Sequence, residues 1–286
     1  MSRFQYLLDK ISAARFSTEP FEHLEILDFL SAEDFEAVIT DPQIRLEEVA
    51  STEELFERLE QRGWERIGFP GCVRSKAEYL DWYHGRSTKT LHAQTESFGM
   101  AFRLTSRDSE LLEELAQFFA SEELTAVLLE KFGITRPVTF NGGIQKYLHG
   151  YEISPHPDIR HKAMTWMLNI NPGDGTEEQD FHTHYMKLKD RWRFISEFWR
   201  HNPEWERDWL PWDWCEPVKQ QCRNNSIVFF TPSDASMHAI KANYDHLRTQ
   251  RTQVYGNLWY ERTALPKMEF HHFDLAHRAL ASQGTE

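Results

Sequence analysis

Between residues 138 and 260 the chain offers short β-rich runs punctuated by turn signals, and this pattern limits the possible folds more than any other feature. The runs are Val138–Leu148, Ala163–Ile170, Ser226–Thr231, Met237–Ala242 and Arg251–Tyr260. Asn141-Gly-Gly, Asn171-Pro-Gly-Asp-Gly and Thr231-Pro-Ser-Asp supply the turns. Short strands with no helical pattern between them predict an antiparallel sandwich or barrel.

The first 135 residues read differently. Ser31-Ala-Glu-Asp and Ser51-Thr-Glu-Glu have the form of capping boxes, with an acidic residue three places after the cap. Leu55 and Leu59 then fall one turn apart, and Gly63 is a natural stop. Ser109 opens a longer helix whose apolar stripe, Leu112, Leu115, Phe119 and then Leu128-Leu129, ends near Gly133. Phe98–Leu104 between them reads as a strand. A last amphipathic piece, Phe273–Ala281, predicts a C-terminal helix. The expectation is an α+β fold with a mainly β core in a single domain, 1–286. Residues 1–135 form a helical support region, 136–262 the core and 263–286 the C-terminal helix.

Charge narrows the partners. The chain carries 45 acidic and 32 basic residues, a net charge of -13. Residues 1–135 hold 26 of the acids against 14 bases, so the excess is concentrated there. Such a chain is a poor partner for nucleic acid or anionic lipid. No apolar run has the length of a membrane span, and no signal-peptide profile is present. Cys72, Cys215 and Cys222 form no metal-type pair and cannot all pair with one another, which predicts a reduced, cytoplasmic protein. Six of the ten tryptophans, Trp192 to Trp214, crowd into an insertion at about 186–220. Aromatics there predict a satellite core, or else a platform over the barrel mouth that stacks on substrate.

The chemistry centres on one histidine. His followed two places later by an acid occurs at His23–Glu25, His156–Asp158 and His272–Asp274, about what chance gives. Only His156-Pro-Asp158 lies between two predicted strands. In extended backbone, residues two apart face the same side, so the imidazole and the carboxylate can point at one ion. Two histidines and one carboxylate on one face of an octahedron leave three positions open, the set used for non-haem Fe(II). His238, at the start of the strand after Ile227–Phe230, supplies the second histidine. Beyond it come Arg248 and Arg251, and a buried arginine beside such a metal can clamp a dicarboxylate through two parallel hydrogen bonds.

In this order these features resemble the Fe(II)/2-oxoglutarate-dependent dioxygenases, especially their prolyl-hydroxylase-like branch. The match runs over about 139–260. It takes in Tyr147, His156-Pro-Asp158, the strand ending Asn169-Ile-Asn-Pro172, Ile227–Phe230, His238-Ala-Ile240, and the arginine-led strand ending Trp259-Tyr260. The resemblance implies a double-stranded β-helix (jelly-roll) core with N-terminal supporting helices. It implies His156, Asp158 and His238 as iron ligands, and Arg251 on the distal carboxylate of 2-oxoglutarate with Tyr147 beside it. Dioxygen is the other cosubstrate, and succinate and CO2 are released as a C–H bond is hydroxylated. Arg251 lies thirteen residues after His238, which is long for this branch, so Arg248 is the fallback. Trp166 and Leu168 stand where a second tyrosine is common, and Asn225-Ser226 replaces a glycine. Asp158 argues against a halogenase, which leaves that position free for halide.

The substrate expectation is a small molecule or sugar, with Gln145, Trp166, His182, His184 and Trp259 as candidate contacts. Three rivals stand beside it. One is a non-enzymatic jelly-roll binding module, and another is a protein or peptidyl hydroxylase. The third is a cupin-type metal enzyme on His182-Thr-His184, for which Tyr185–Lys189 offers no glutamate.

Overall fold

The computed structural model describes residues 3–69, 72–73, 75–85 and 97–261. The predicted C-terminal helix, Phe273–Ala281, lies outside them. The helices are α1 (Tyr6–Ala13), α2 (Ala32–Thr40), α3 (Thr52–Gln61), α4 (Lys76–Tyr83), α5 (Glu110–Phe119), α6 (Glu122–Phe132) and α7 (Phe194–His201). The strands of the first half are β1 (Phe16–Ser17), β2 (His23–Ile26), β3 (Trp64–Ile67), β4 (Ser97–Phe98) and β5 (Ala101–Leu104). Those of the second half are β6 (Val138–Tyr147), β7 (Glu152–His156), β8 (Lys162–Asn169), β9 (Thr183–Leu188), β10 (Cys215–Gln220), β11 (Ile227–Phe230), β12 (His238–Lys241) and β13 (Arg251–Tyr260).

Two antiparallel sheets result. Among the described residues the larger runs β1-β2-β11-β8-β13-β6-β5-β3 and the smaller β10-β9-β12-β7-β4. From β6 onward the chain alternates between them except at the β9–β10 pair, so β6, β8, β11 and β13 lie in one sheet and β7, β9, β10 and β12 in the other. This is mixed helix and antiparallel sheet, of a jelly-roll-like kind.

Burial follows from that layering. β8 is apolar along most of its length because both its faces are covered. Met164, Trp166 and Leu168 join Leu112, Leu115 and Phe119 of α5 in one core, while Met167 packs with Tyr185 and Phe230 between the sheets. Gly256 lies opposite Trp166, and a Cβ there would come within 2.3 Å of the indole carbons. Only hydrogen fits, and the indole lies flat across β13.

Several expectations are corrected here. The single helix expected after Ser109 is two helices, because Ser121 accepts a hydrogen bond from the Leu124 amide and caps α6; Gly133, left-handed at φ 64°, ends it. Ser31 and Ser51 do cap α2 and α3, but the reciprocal box forms at Ser75–Glu78. Asn141-Gly-Gly is not a turn and lies inside β6. Gly142 serves close packing there, since a Cβ would meet the Tyr255 carbonyl at 2.5 Å. The first half is less helical than its pattern suggests, because β2, β3 and β5 extend the larger sheet. Both ends of the expected 186–220 insertion are strand, β9 and β10.

The remaining insertion builds a satellite core. Ile195, Trp199 and Leu210 pack with Met186, Leu188 and Ala239 of the smaller sheet and with Met237 just before β12, flanked by Trp192, Trp212 and Trp214. Trp192 and Trp214 stack at 3.9 Å.

His246 ties α3 to the loop after β6 and gives the fold an acid-sensitive joint. Its Nδ1 accepts from the His149 amide at 3.0 Å, and its Nε2 lies 3.1 Å from the Thr52 hydroxyl. Burial and the neighbouring His149, against a smaller opposing effect of Asp245, depress its pKa to about 4. The unfolded chain therefore takes up this proton near pH 6.5, while the folded chain resists until about pH 4. Stability from this residue is intact above 6.5 and falls across that window, by roughly 3 kcal/mol. Urea unfolding from pH 7 to 4 is expected to show this loss, with a shallower slope in His246→Gln. Equal slopes would contradict it.

Candidate metal centre

β7 and β12 are neighbours in the smaller sheet, with His156 opposite His238. Directly opposed residues share a face, so both rings enter the space between the sheets, with centroids 4.2 Å apart. Asp158 reaches the same point by another route than expected. β7 ends at His156, and Asp158 adopts a left-handed conformation at φ 62°. The turn, not continued strand alternation, swings its carboxylate back; aspartate tolerates this backbone better than most residues.

The geometry suits one ion. Asp158 Oδ1 is 3.6 Å from His156 Nε2, and Oδ2 is 3.8 Å from His238 Nε2. All three ligand atoms lie within 4.8 Å of one another, the one group of three or more such residues found among the described residues. His156 Nδ1 bonds the Ser154 carbonyl at 2.9 Å and His238 Nδ1 the Ser236 carbonyl at 3.0 Å. Each carbonyl fixes the proton on Nδ1 and leaves an Nε2 lone pair aimed inward. Burial, together with His156, depresses the His238 pKa to about 3 although Asp158 opposes the shift. That ring is neutral and ready to ligate. Burial alone would raise the Asp158 pKa, but Lys162 and the two histidines hold it well below the usual carboxylate range.

Two residues that the sequence reading passed over hold this carboxylate. Lys162 Nζ donates to Oδ1 at 2.6 Å, and the Thr165 hydroxyl to Oδ2 at 2.7 Å. Lys162 stands four residues after Asp158, and nothing in a lysine at a strand start marks it in advance. The Trp-rich insertion braces the same loop. Arg160 donates to the Trp199 and Trp205 carbonyls at 2.5 and 2.9 Å, and Arg207 pairs with Asp234 at 2.8 Å.

Further along the inner face lies Arg251, 3% exposed. Its Nη2 donates to Thr183 Oγ1 at 3.0 Å, and its guanidinium sits 4.6 Å from the centre of the Tyr147 ring. Among the described residues no carboxylate pairs with it. Burial lowers its pKa, opposed by Tyr147, Tyr151, Tyr244 and Tyr185. The fallback Arg248 is on the surface beside Glu48 and Asp245, at 3.6 and 3.5 Å. Gln145 is on the inner face, accepting from the Tyr147 hydroxyl at 2.7 Å. Trp259 shares that side of β13, with Lys162 Nζ 5.6 Å from its ring centre.

Three candidate contacts face elsewhere. Trp166 is on the helix side of β8, stacked on Phe140 and Phe119; on that strand Thr165, Met167 and Asn169 face inward. On β9, Tyr185 is opposite His238 and His184 opposite Ala239, so His184 points away from the histidine pair, against Trp212. His182 has the same parity and bonds the Glu177 carbonyl at 3.1 Å. The cupin-type site is therefore not assembled. His23, passed over for want of a β framework, lies in β2, buried and stacked on Tyr185.

No family model matches the chain, and no curated protein matches it. Solved structures do. A prolyl-4-hydroxylase from Pseudomonas putida is 13% identical, with 90% of this chain and 99% of that one covered and a TM-score of 0.43. A prolyl hydroxylase from Trichoplax adhaerens, solved with a hypoxia-inducible-factor peptide, is 10% identical over 74% of this chain and 94% of its own, at a TM-score of 0.32. The non-haem α-ketoglutarate-dependent epimerase SnoN of nogalamycin biosynthesis is 12% identical over 91% and 88%, at 0.36. No helix among the described residues is long and apolar enough to cross a membrane.

Proposed function

We propose that the chain is an Fe(II)/2-oxoglutarate-dependent dioxygenase that hydroxylates an unactivated C–H bond of a small-molecule substrate, and that residues 136–262 form a double-stranded β-helix within one domain. One observation carries the reading. A buried arginine without a carboxylate partner among the described residues shares the space between the sheets with an inward-aimed His–Asp–His set. Burying an unpaired cation is costly, and an anionic ligand removes that penalty. A dicarboxylate that also reaches the metal fits both halves of the site.

The donor chemistry supports iron. Two neutral imidazoles and one carboxylate, with the rest of the coordination sphere left open, are the facial set of non-haem Fe(II) oxygenases. His156, Asp158 and His238 would hold the ion. Bound iron with 2-oxoglutarate and dioxygen supplies the oxidising equivalent for a C–H bond, releasing succinate and CO2.

The chain's own residues do the rest. Lys162 and Thr165 restrain both oxygens of Asp158, and the Ser154 and Ser236 carbonyls hold the imidazoles at a fixed angle. Arg251 would clamp the distal carboxylate through its fork of donors, with Tyr147 stacked beneath it. Phe230, 4.9 Å from the His238 ring, keeps water from one side. Gln145 and Trp259 would face the substrate.

Anaerobic addition of Fe(II) and 2-oxoglutarate tests this. A visible metal-to-ligand charge-transfer band is expected, and succinate release on admitting oxygen with a fractionated metabolite pool. No band, and no succinate with any pool, would sink the reading.

A further inference from the structure

A second cation on the inner face is short of partners. Arg103 of β5 lies opposite Gln145 of β6, and Gln145 opposite Gln253 of β13. It therefore faces the interior with them. Its side chain then runs along the sheet towards the metal end. A Cβ at Gly143 would stand 3.3 Å from Arg103 Cδ, so the arginine lies over the glycine. Its Nη2 reaches Asn141 Oδ1 at 3.5 Å, at the limit of a hydrogen bond. Its buried Nε has no hydrogen-bond partner, and no carboxylate among the described residues pairs with it.

The register fixes where this guanidinium sits. Asn141 is opposite Asn257, and Asn257 opposite Thr165, the residue that holds Asp158. Asn141 and Thr165 are two strand spacings apart, roughly 10 Å. A small molecule spans that gap. Between them lies Asn257, whose Oδ1 accepts from the Thr165 and Tyr255 hydroxyls at 3.0 and 3.1 Å, and Asn141 at the β6 end is exposed.

We propose that Arg103 binds a carboxylate on the primary substrate, whose oxidised carbon then lies on the metal side of Tyr255. This rests on the iron/2-oxoglutarate reading of the site. A carboxylate suits the position better than a phosphate. The guanidinium presents a fork matched to two oxygens, and of the other inner-face cations Lys162 is paired with Asp158 and Arg251 is assigned to 2-oxoglutarate. One unassisted cation balances one negative charge.

The test uses aliphatic monocarboxylic and α-amino acids, each with its carboxamide, and a matched series of alkyl phosphates. They are added to the protein loaded anaerobically with Fe(II) and 2-oxoglutarate. At least one acid is expected to shift the charge-transfer band and raise succinate release, with its amide inert. Arg103→Gln should raise that acid's half-saturation by about 10- to 100-fold with the 2-oxoglutarate requirement unchanged, and Arg103→Lys should recover part of the loss. In metal-free protein, the Arg103 Nε–H resonance, identified by its absence in Arg103→Gln, should shift with the acids and not with the amides. That measurement judges the subsite even where no band forms, an outcome that would count against the iron reading alone. Acids and amides acting alike, phosphates preferred, no Nε–H response, or a raised 2-oxoglutarate requirement in Arg103→Gln would each overturn the proposal.

Discussion

Asp158→Ala is expected to remove iron binding and all succinate release, and to destabilise the fold as well. The two losses have different causes and can be separated. With the carboxylate gone, two imidazoles remain, which is too few donors to hold Fe(II) against water. At the same time Lys162, whose side chain is only 12% exposed, loses the partner 2.6 Å away. Breaking a buried pair by deleting one member typically costs about 3–5 kcal/mol, because the surviving charge is stranded. A lowered Tm alone would thus not prove ligation. The double variant Asp158→Ala/Lys162→Met removes the stranded charge with little change in shape. It should recover most of the thermal stability and none of the charge-transfer band. Asp158 would be a structural ion-pair member and no ligand if the band persisted in the double variant.

How much of this could be read from the chain depends on whether the cause was local. His156, Asp158 and His238 were nameable because a motif flanked by strands, then a histidine opening a later strand, is a one-dimensional pattern. The convergence itself was expected for the wrong reason. Alternation along a strand was assumed, whereas Asp158 leaves the strand in a left-handed turn. Parity within a strand is legible where the strand's ends are known, and Arg251 and Trp259, an even number of residues apart, fall on one side of β13. It failed for Trp166, since the side of β8 that meets the helices is decided by α5 and Phe140, far away in sequence. Asn225, which stands in place of a glycine, takes the left-handed backbone a glycine would, at φ 54°. β9 and β10 were not legible, because Lys187, Glu216 and Lys219, on the face they share with Tyr185, break the apolar pattern. Lys162, Thr165 and Arg103 carry no signature either. Their roles arise from register between strands that no local pattern encodes.

Arg251 gives the other large effect, and its sign without ligand is the more telling part. Arg251→Met is expected to raise the half-saturation for 2-oxoglutarate on the order of 100-fold, since truncating one partner of a buried charge pair costs about 2–5 kcal/mol. The half-saturation for iron should change little, as none of the three candidate ligands contacts Arg251. An ordinary structural arginine, salt-bridged in the core, would also lower the stability of the free protein when removed. Here the opposite is expected. The guanidinium is buried without a carboxylate among the described residues, stabilised by one hydroxyl and the face of Tyr147, so the free protein carries an uncompensated desolvation cost. Removing the charge should leave ligand-free stability unchanged or raise it. Saturating 2-oxoglutarate should then raise the wild-type Tm and leave that of the variant nearly still, because only a bound ligand stabilises the folded state by mass action. Arg248→Ala, on the surface beside Glu48 and Asp245, is the control and should behave as wild type in both measurements. A large fall in ligand-free stability for Arg251→Met would make this arginine part of the scaffold and remove the strongest support for a dicarboxylate cosubstrate. A rise in the 2-oxoglutarate requirement for Arg248→Ala would transfer the clamp to the surface arginine instead.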